Sequence, residues 1–244
     1  MASRFSKYRK ESETSPRQRR VRKDPLIEQV MKIWESNLGK EDTSRYYDSI
    51  ILHGFRGSVI RARDISYFAQ SLPGFEGAEN FSPFSGLFIS ALVALSPEKK
   101  FRIALPDLDK PIDELGYRNT KHVTVVGSLG EDAGHWMREG TLTVQGNVQS
   151  AAGNRMEGGS IKIIGNAGVH AGMKMGGGTI EVCGSAGDLI GDEMEDGHLI
   201  IRGSAGEKIG LGMFGGRIDL EGGFAGLSNY FNGGEVYHKG VLIR

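Results

Sequence analysis

Residues 160–178 read SIKIIGNAGVHAGMKMGGG, residues 179–197 TIEVCGSAGDLIGDEMEDG and residues 198–216 HLIIRGSAGEKIGLGMFGG. Set one above another, the three lines share a period of nineteen. Upstream, TLTVQGNVQSAAGNRMEGG (141–159) and HVTVVGSLGEDAGHWMREG (122–140) fall into the same frame. Downstream, a shortened copy, RIDLEGGFAGLSNYFNGG, fills 217–234, and EVYHKGVLIR closes the chain. Three glycine columns mark the frame: Gly127, Gly146, Gly165, Gly184, Gly203 and Gly222; Gly134, Gly153, Gly172, Gly191 and Gly210; and Gly140, Gly159, Gly178, Gly197 and Gly216. A methionine column, Met137, Met156, Met175, Met194 and Met213, keeps the same spacing.

Each block opens with alternating apolar residues, as in Leu142 and Val144 or Ile180 and Val182. Alternation at period two marks a strand with one buried face. A unit of nineteen residues cannot bury that face alone, but stacked copies can, each strand pairing in parallel with its equivalent in the next coil. The expected fold is therefore mainly β: a right-handed parallel β-helix of about six nineteen-residue coils over residues 122–244, closed by the strand from Glu235. At a strand spacing of about 4.8 Å the stack is on the order of 29 Å long. The glycines are expected at the corners, where φ is positive or a Cβ has no room. The methionines are expected in the interior, since a thioether fills irregular gaps; a copper(I) stripe is the alternative for such a column. Open coil ends would expose unpaired backbone, so residues N-terminal to the coils and the last strand are expected to cap them.

The glycine triplets Gly127-Gly130-Gly134, Gly165-Gly168-Gly172, Gly184-Gly187-Gly191 and Gly203-Gly206-Gly210 form G-x-x-G-x-x-x-G. Over residues 122–234 this resembles the glycine-rich (GXGXG) β-helix domain at the C-terminus of the glutamate synthase large subunit. It also resembles the β-helical subunit of formylmethanofuran dehydrogenase. In both families the β-helix is a structural and assembly element and the chemistry lies elsewhere. The resemblance therefore implies a non-catalytic scaffold inside an oxidoreductase or one-carbon complex, with other protein chains of that complex as partners and no cofactor of its own.

The rest of the chain is of ordinary composition. Of 37 glycines, 29 lie in 122–234. The formal net charge is zero, but residues 1–23 hold nine basic and two acidic side chains, so a basic head balances an acidic body. That head reads as a disordered tail, able to bind nucleic acid through phosphates or to dock on an acidic protein surface. Residues 24–121 read as a helix followed by a mixed α/β region. The helix has Asp24 as N-cap, Pro25 at its first position and Gly39 as its stop. Strands are expected at Ser49–Leu52, Ser58–Arg63 and Phe101–Leu105, and a short helix after Asp64 that ends by Pro73-Gly74. The run Leu87–Leu95 fits either helix or buried strand. Pro106–Tyr117 reads as a lead-in loop that begins an irregular first coil.

Chemistry-bearing residues are sparse. Cys183, the only cysteine, excludes an internal disulfide and an all-cysteine metal site and is expected to point outward as an incidental thiol. The six histidines show no ligand pair at helical spacing, so no metal site is expected. The glycine runs lead into strands rather than helices, which argues against a phosphate loop. A ligand-binding or catalytic site between residues 44–121 and the coils is the alternative function, with His53, Arg56, Arg61, Arg63, Asp107 and Asp109 as its polar candidates. No apolar run reaches membrane-spanning length, and a cytoplasmic location is expected.

Overall fold

The computed structural model describes residues 24–39, 43–55 and 57–244. The expected basic tail and Arg56 lie outside the described residues.

Residues 100–244 form a parallel β-helix. Its main wall is a nine-stranded sheet. In spatial order it contains β1 (Lys100–Ala104), β2 (His122–Val126), β4 (Thr141–Gln145), β6 (Ser160–Ile163), β8 (Thr179–Val182), β9 (His198–Ile201), β10 (Arg217–Leu220), β11 (Glu235–His238) and β12 (Val241–Leu242). From β2 to β10 the register advances by nineteen residues per step, as in Ile161 opposite Ile180 opposite Leu199 opposite Ile218. A narrower wall carries β3 (Leu129–Glu131), β5 (Val148–Ser150) and β7 (Ala167–Val169) and continues through isolated bridges such as Ala167–Ala186 and Ala205–Phe224. The remaining side is a run of tight bends. Their backbone amides still reach the coil below, as in Gly172 N to Ala152 O at 2.8 Å and Gly191 N to Ala171 O at 2.9 Å.

The coils number about seven rather than six. The additional coil is built by residues 100–121: β1 pairs with β2 at an offset of 22, and the bend at Glu114, Gly116 and Arg118 repeats the left-handed conformations of Asp132, Gly134 and Trp136. The loop Leu105–Pro111 lengthens one side of this coil, so the irregular first coil expected from Pro106–Tyr117 is present but starts earlier, at β1.

All five repeat methionines are fully buried, as expected. Their partners are the third glycine column: a Cβ added to Gly178 would lie 2.7 Å from the Met156 Cε, and one on Gly197 would lie 2.7 Å from the Met175 Cε. Met156, Met175, Met194 and Met213 thus each cap their coil against the bare α-carbon of a glycine in the coil above. The other two columns serve different ends. Gly172 has φ +74, and a Cβ there would press on Leu199. Gly184 is not left-handed, but its Cβ would sit 2.6 Å from the Gly165 carbonyl oxygen. In this column close approach of successive backbones, rather than torsion, demands glycine; Gly127, at φ +129, is its exception.

The N-terminal region is helical rather than mixed α/β. Helix α1 (Pro25–Asn37) starts on Asp24, whose carboxylate accepts from Leu26 N at 3.0 Å, and buries Val30 and Trp34. Helix α2 (Thr43–Ser49) runs on as a π-helical turn through Gly54, so the expected strand Ser49–Leu52 is helical. Tyr47 and Ile50, three residues apart, share its buried face. The expected strand Ser58–Arg63 is extended only to Arg61, has no pairing partner, and passes into α3 (Ala62–Ser71), which stops before Pro73. The apolar run belongs to helix α4 (Phe81–Leu95), buried on nearly every side. Of the three expected strands in this region, Phe101–Leu105 forms, as β1.

Helix α4 seals the first coil. Ser90 Oγ donates to Gly86 O at 2.7 Å and accepts from Gly116 N at 2.9 Å. At Gly86 an added Cβ would strike the Asp113 carbonyl and lie 2.9 Å from Leu115 N. At the far end β12 turns back antiparallel on β11.

Candidate functional site

Two sets of polar side chains stand out from the stack. The first lies on the outer face of the main wall, where alternate residues of each strand face water. Lys162 Nζ meets Glu181 Oε2 at 2.7 Å, Arg202 Nη2 meets Glu181 Oε1 at 3.0 Å, and Arg202 also pairs with Glu221. Further along the wall Arg217 grips Asp219 at 2.7 Å, His198 bonds the same carboxylate, and the Arg217 guanidinium lies over the Tyr237 ring. The hydrogen bond from Lys162 holds the Glu181 carboxyl below the usual range, and that from Arg217 does the same for Asp219. Carboxylates held in this way remain charged and paired, and are poorly suited to act as general bases. Cys183 stands on this face, half-buried, in one column with Ile164 and Arg202, in agreement with its expected outward direction.

The second set lies along the tight bends. Two positions of each bend face each other diagonally across neighbouring coils: the left-handed residue of one coil meets the residue after the bend glycine in the next. Three such diagonals are polar. Glu114 Oε2 meets His135 Nδ1 at 3.0 Å, Asp132 Oδ1 accepts from Asn154 Nδ2 at 2.8 Å, and Asp192 Oδ2 lies 3.4 Å from His170 Nδ1. Burial raises the pKa of Asp192, with His170 acting against it. At the first two diagonals the pairs merge: Glu114, Asp132 and His135 each place a ligand-type atom within 4.8 Å of the others. The His135 ring stacks on Trp136 and meets Tyr117 edge-on. Two atoms of this cluster, His135 Nε2 and Asn154 Oδ1, are shielded from solvent and have no hydrogen-bond partner.

Sequence reasoning did not find this cluster. A search for helical ligand spacing cannot reveal pairs that sit 21 or 22 residues apart, and the distance becomes meaningful only once the lateral offset between coils is known.

The polar candidates between residues 44–121 and the coils are not brought together. His53 lines a shallow groove with Ile33, Asn37, Tyr46, Ser49, Ile50 and Gly54. Arg63 is exposed, pairs with Asp64 at 3.4 Å and borders a different groove, of about 1010 Å³, between α1 and α3. Arg61 precedes α3, its backbone N–H donating to Asp64 Oδ2 at 2.9 Å. Asp107 and Asp109 are exposed on the lead-in loop, where Asp109 N donates to Glu76 at 2.7 Å. Among the described residues, no helix is long and apolar enough to cross a membrane. A scan against protein-family models finds no match to this chain, and a search of curated proteins returns no relative.

Proposed function

We propose that the chain is a non-catalytic assembly element: a rigid prism whose walls and last coils dock the other protein chains of a larger enzyme. The observation that supports this reading is the unbroken nineteen-residue register from β2 to β10. Every coil is tied to the next by backbone hydrogen bonds and a filled interior, so the outer faces hold fixed positions. Large apolar side chains are exposed in the last coils and the closing hairpin: Phe214 at 58 %, Tyr230 at 60 %, Val241 at 64 %, and Leu242 and Ile243 beside it. Such groups at the end of an otherwise well-packed rod suit a protein partner. The likeness of the G-x-x-G-x-x-x-G coils to the glutamate synthase and formylmethanofuran dehydrogenase β-helices supports the same reading and suggests a redox or one-carbon enzyme as the host complex. A single free thiol fits a cytoplasmic setting.

The test is co-purification from the native host with an affinity tag on the full chain. A stoichiometric enzyme partner is expected, and the double variant Val241→Lys/Leu242→Lys is expected to lose it while keeping its circular dichroism spectrum. Recovery of free monomer alone under gentle lysis would refute the assembly role.

A further inference from the structure

We infer that Glu114, Asp132 and His135 form a binding site for a divalent transition-metal ion of the zinc type. One imidazole nitrogen and two carboxylates are a donor set that suits zinc, whereas calcium and magnesium favour oxygen ligands alone. Two negative charges match the charge of the ion. The three ligand-type atoms lie within 4.8 Å of one another. Metal–ligand lengths of about 2.0–2.2 Å require about 3.3 Å between ligands on a tetrahedral ion, and the Glu114–His135 pair, at 3.0 Å, is already near that separation.

The backbone holds these residues in place. Glu114 and Asp132 occupy left-handed bend positions, φ +59 and +57, and their amides are tied to Glu131 O at 2.9 Å and Ser150 O at 3.1 Å. His135 N donates to Asp132 O at 3.1 Å. The arginines that could neutralise the cluster are engaged elsewhere. Arg118 pairs with Asp48 at 2.9 Å, Arg138 with Glu157 at 3.1 Å, and Arg155 lies over the Trp136 ring.

The independent sign of a ligand is Asn154. It is more than nine-tenths buried, its amide is directed at Asp132, and its oxygen has no partner. A buried acceptor that has given up water without gaining a donor is unfavourable. Reversing the amide gives up the Nδ2–Asp132 hydrogen bond and turns the oxygen toward the cluster, where a cation shared with Asp132 takes the place of that bond. The other histidine–carboxylate pairs lack this arrangement: His170–Asp192 brings two groups rather than three, and His198–Asp219 shares its carboxylate with Arg217.

The experiment titrates the full chain with zinc chloride in a calorimeter and with cobalt(II) under visible absorption. One ion per chain is expected, with cobalt bands of a four- or five-coordinate centre. Asp132→Asn keeps a residue that tolerates the left-handed bend, so its fold is expected to survive. Asp132→Asn and His135→Ala should each weaken uptake by at least about tenfold, and His170→Ala should leave it unchanged. Absence of uptake by the unmodified chain, undiminished uptake in Asp132→Asn, or equal loss in His170→Ala would each overturn the site.

Discussion

Glycine does three separate jobs in one repeat, and the residue scale is where they part. Gly172 and Gly178 both sit at positive φ, but the first faces the Leu199 side chain and the second the methionine methyl that rests on it, while Gly184 is needed for the carbonyl beneath it. The sequence shows three equivalent-looking columns; which demand each one meets depends on neighbours a coil away. Gly184→Ala therefore tests close approach without a torsional penalty. It should lower stability by about 1–3 kcal/mol, the usual cost of forcing a group into a packed site. Gly77→Ala, with open space around its Cβ and no positive φ, should stay within about 0.5 kcal/mol of the parent. Chemical denaturation of the two variants side by side measures the difference.

At the scale of elements, the coils were legible and the helices packed on them were less so. Alternation along Thr141–Gln145 or Thr179–Val182 identifies a strand because one face is buried and the other wet. Helix α4 lacks such a contrast: residues 85–93 are buried on all sides, so its apolar run carries no period. The strand expected at Ser49–Leu52 failed for a related reason, because β-branched residues followed the burial spacing of a helix that packs on α4. The candidate metal cluster was hidden because coil 100–121 departs from the repeat, placing Glu114 eighteen residues before Asp132 instead of nineteen. Gly86 is the point where α4 meets that coil. Gly86→Ala should push the helix off the Asp113–Leu115 backbone and release the Gly116 amide from Ser90. Hydrogen exchange is expected to quicken at Gly116 and Tyr117, while the amides of β6, β8 and β9 keep their protection.

For the whole molecule, each internal coil–coil boundary is nearly the same boundary. Removing residues 160–178 joins Gly159 to Thr179 and brings Leu142 opposite Ile180, leaving the methionine, glycine and strand columns in frame. That variant should fold cooperatively, with a near-native circular dichroism spectrum and a rod shorter by about 4.8 Å. Removing only residues 160–169 breaks every column and should give an aggregated or unfolded product. Size-exclusion chromatography and thermal melting distinguish the two outcomes.

The reversal of β12 on β11 bears on a hazard that any repeating stack carries. A surface shaped to receive one coil is also shaped to receive the first coil of another copy, and head-to-tail addition of that kind does not close on itself but runs on as a filament. At the leading end α4 lies across the point of attachment. At the trailing end the outermost strand runs against the others, so an arriving coil cannot continue the parallel pairing. Polymerisation of identical copies and recognition of a different protein are thereby uncoupled: the first requires continued strand polarity, and the second requires only the apolar side chains that the hairpin leaves in view.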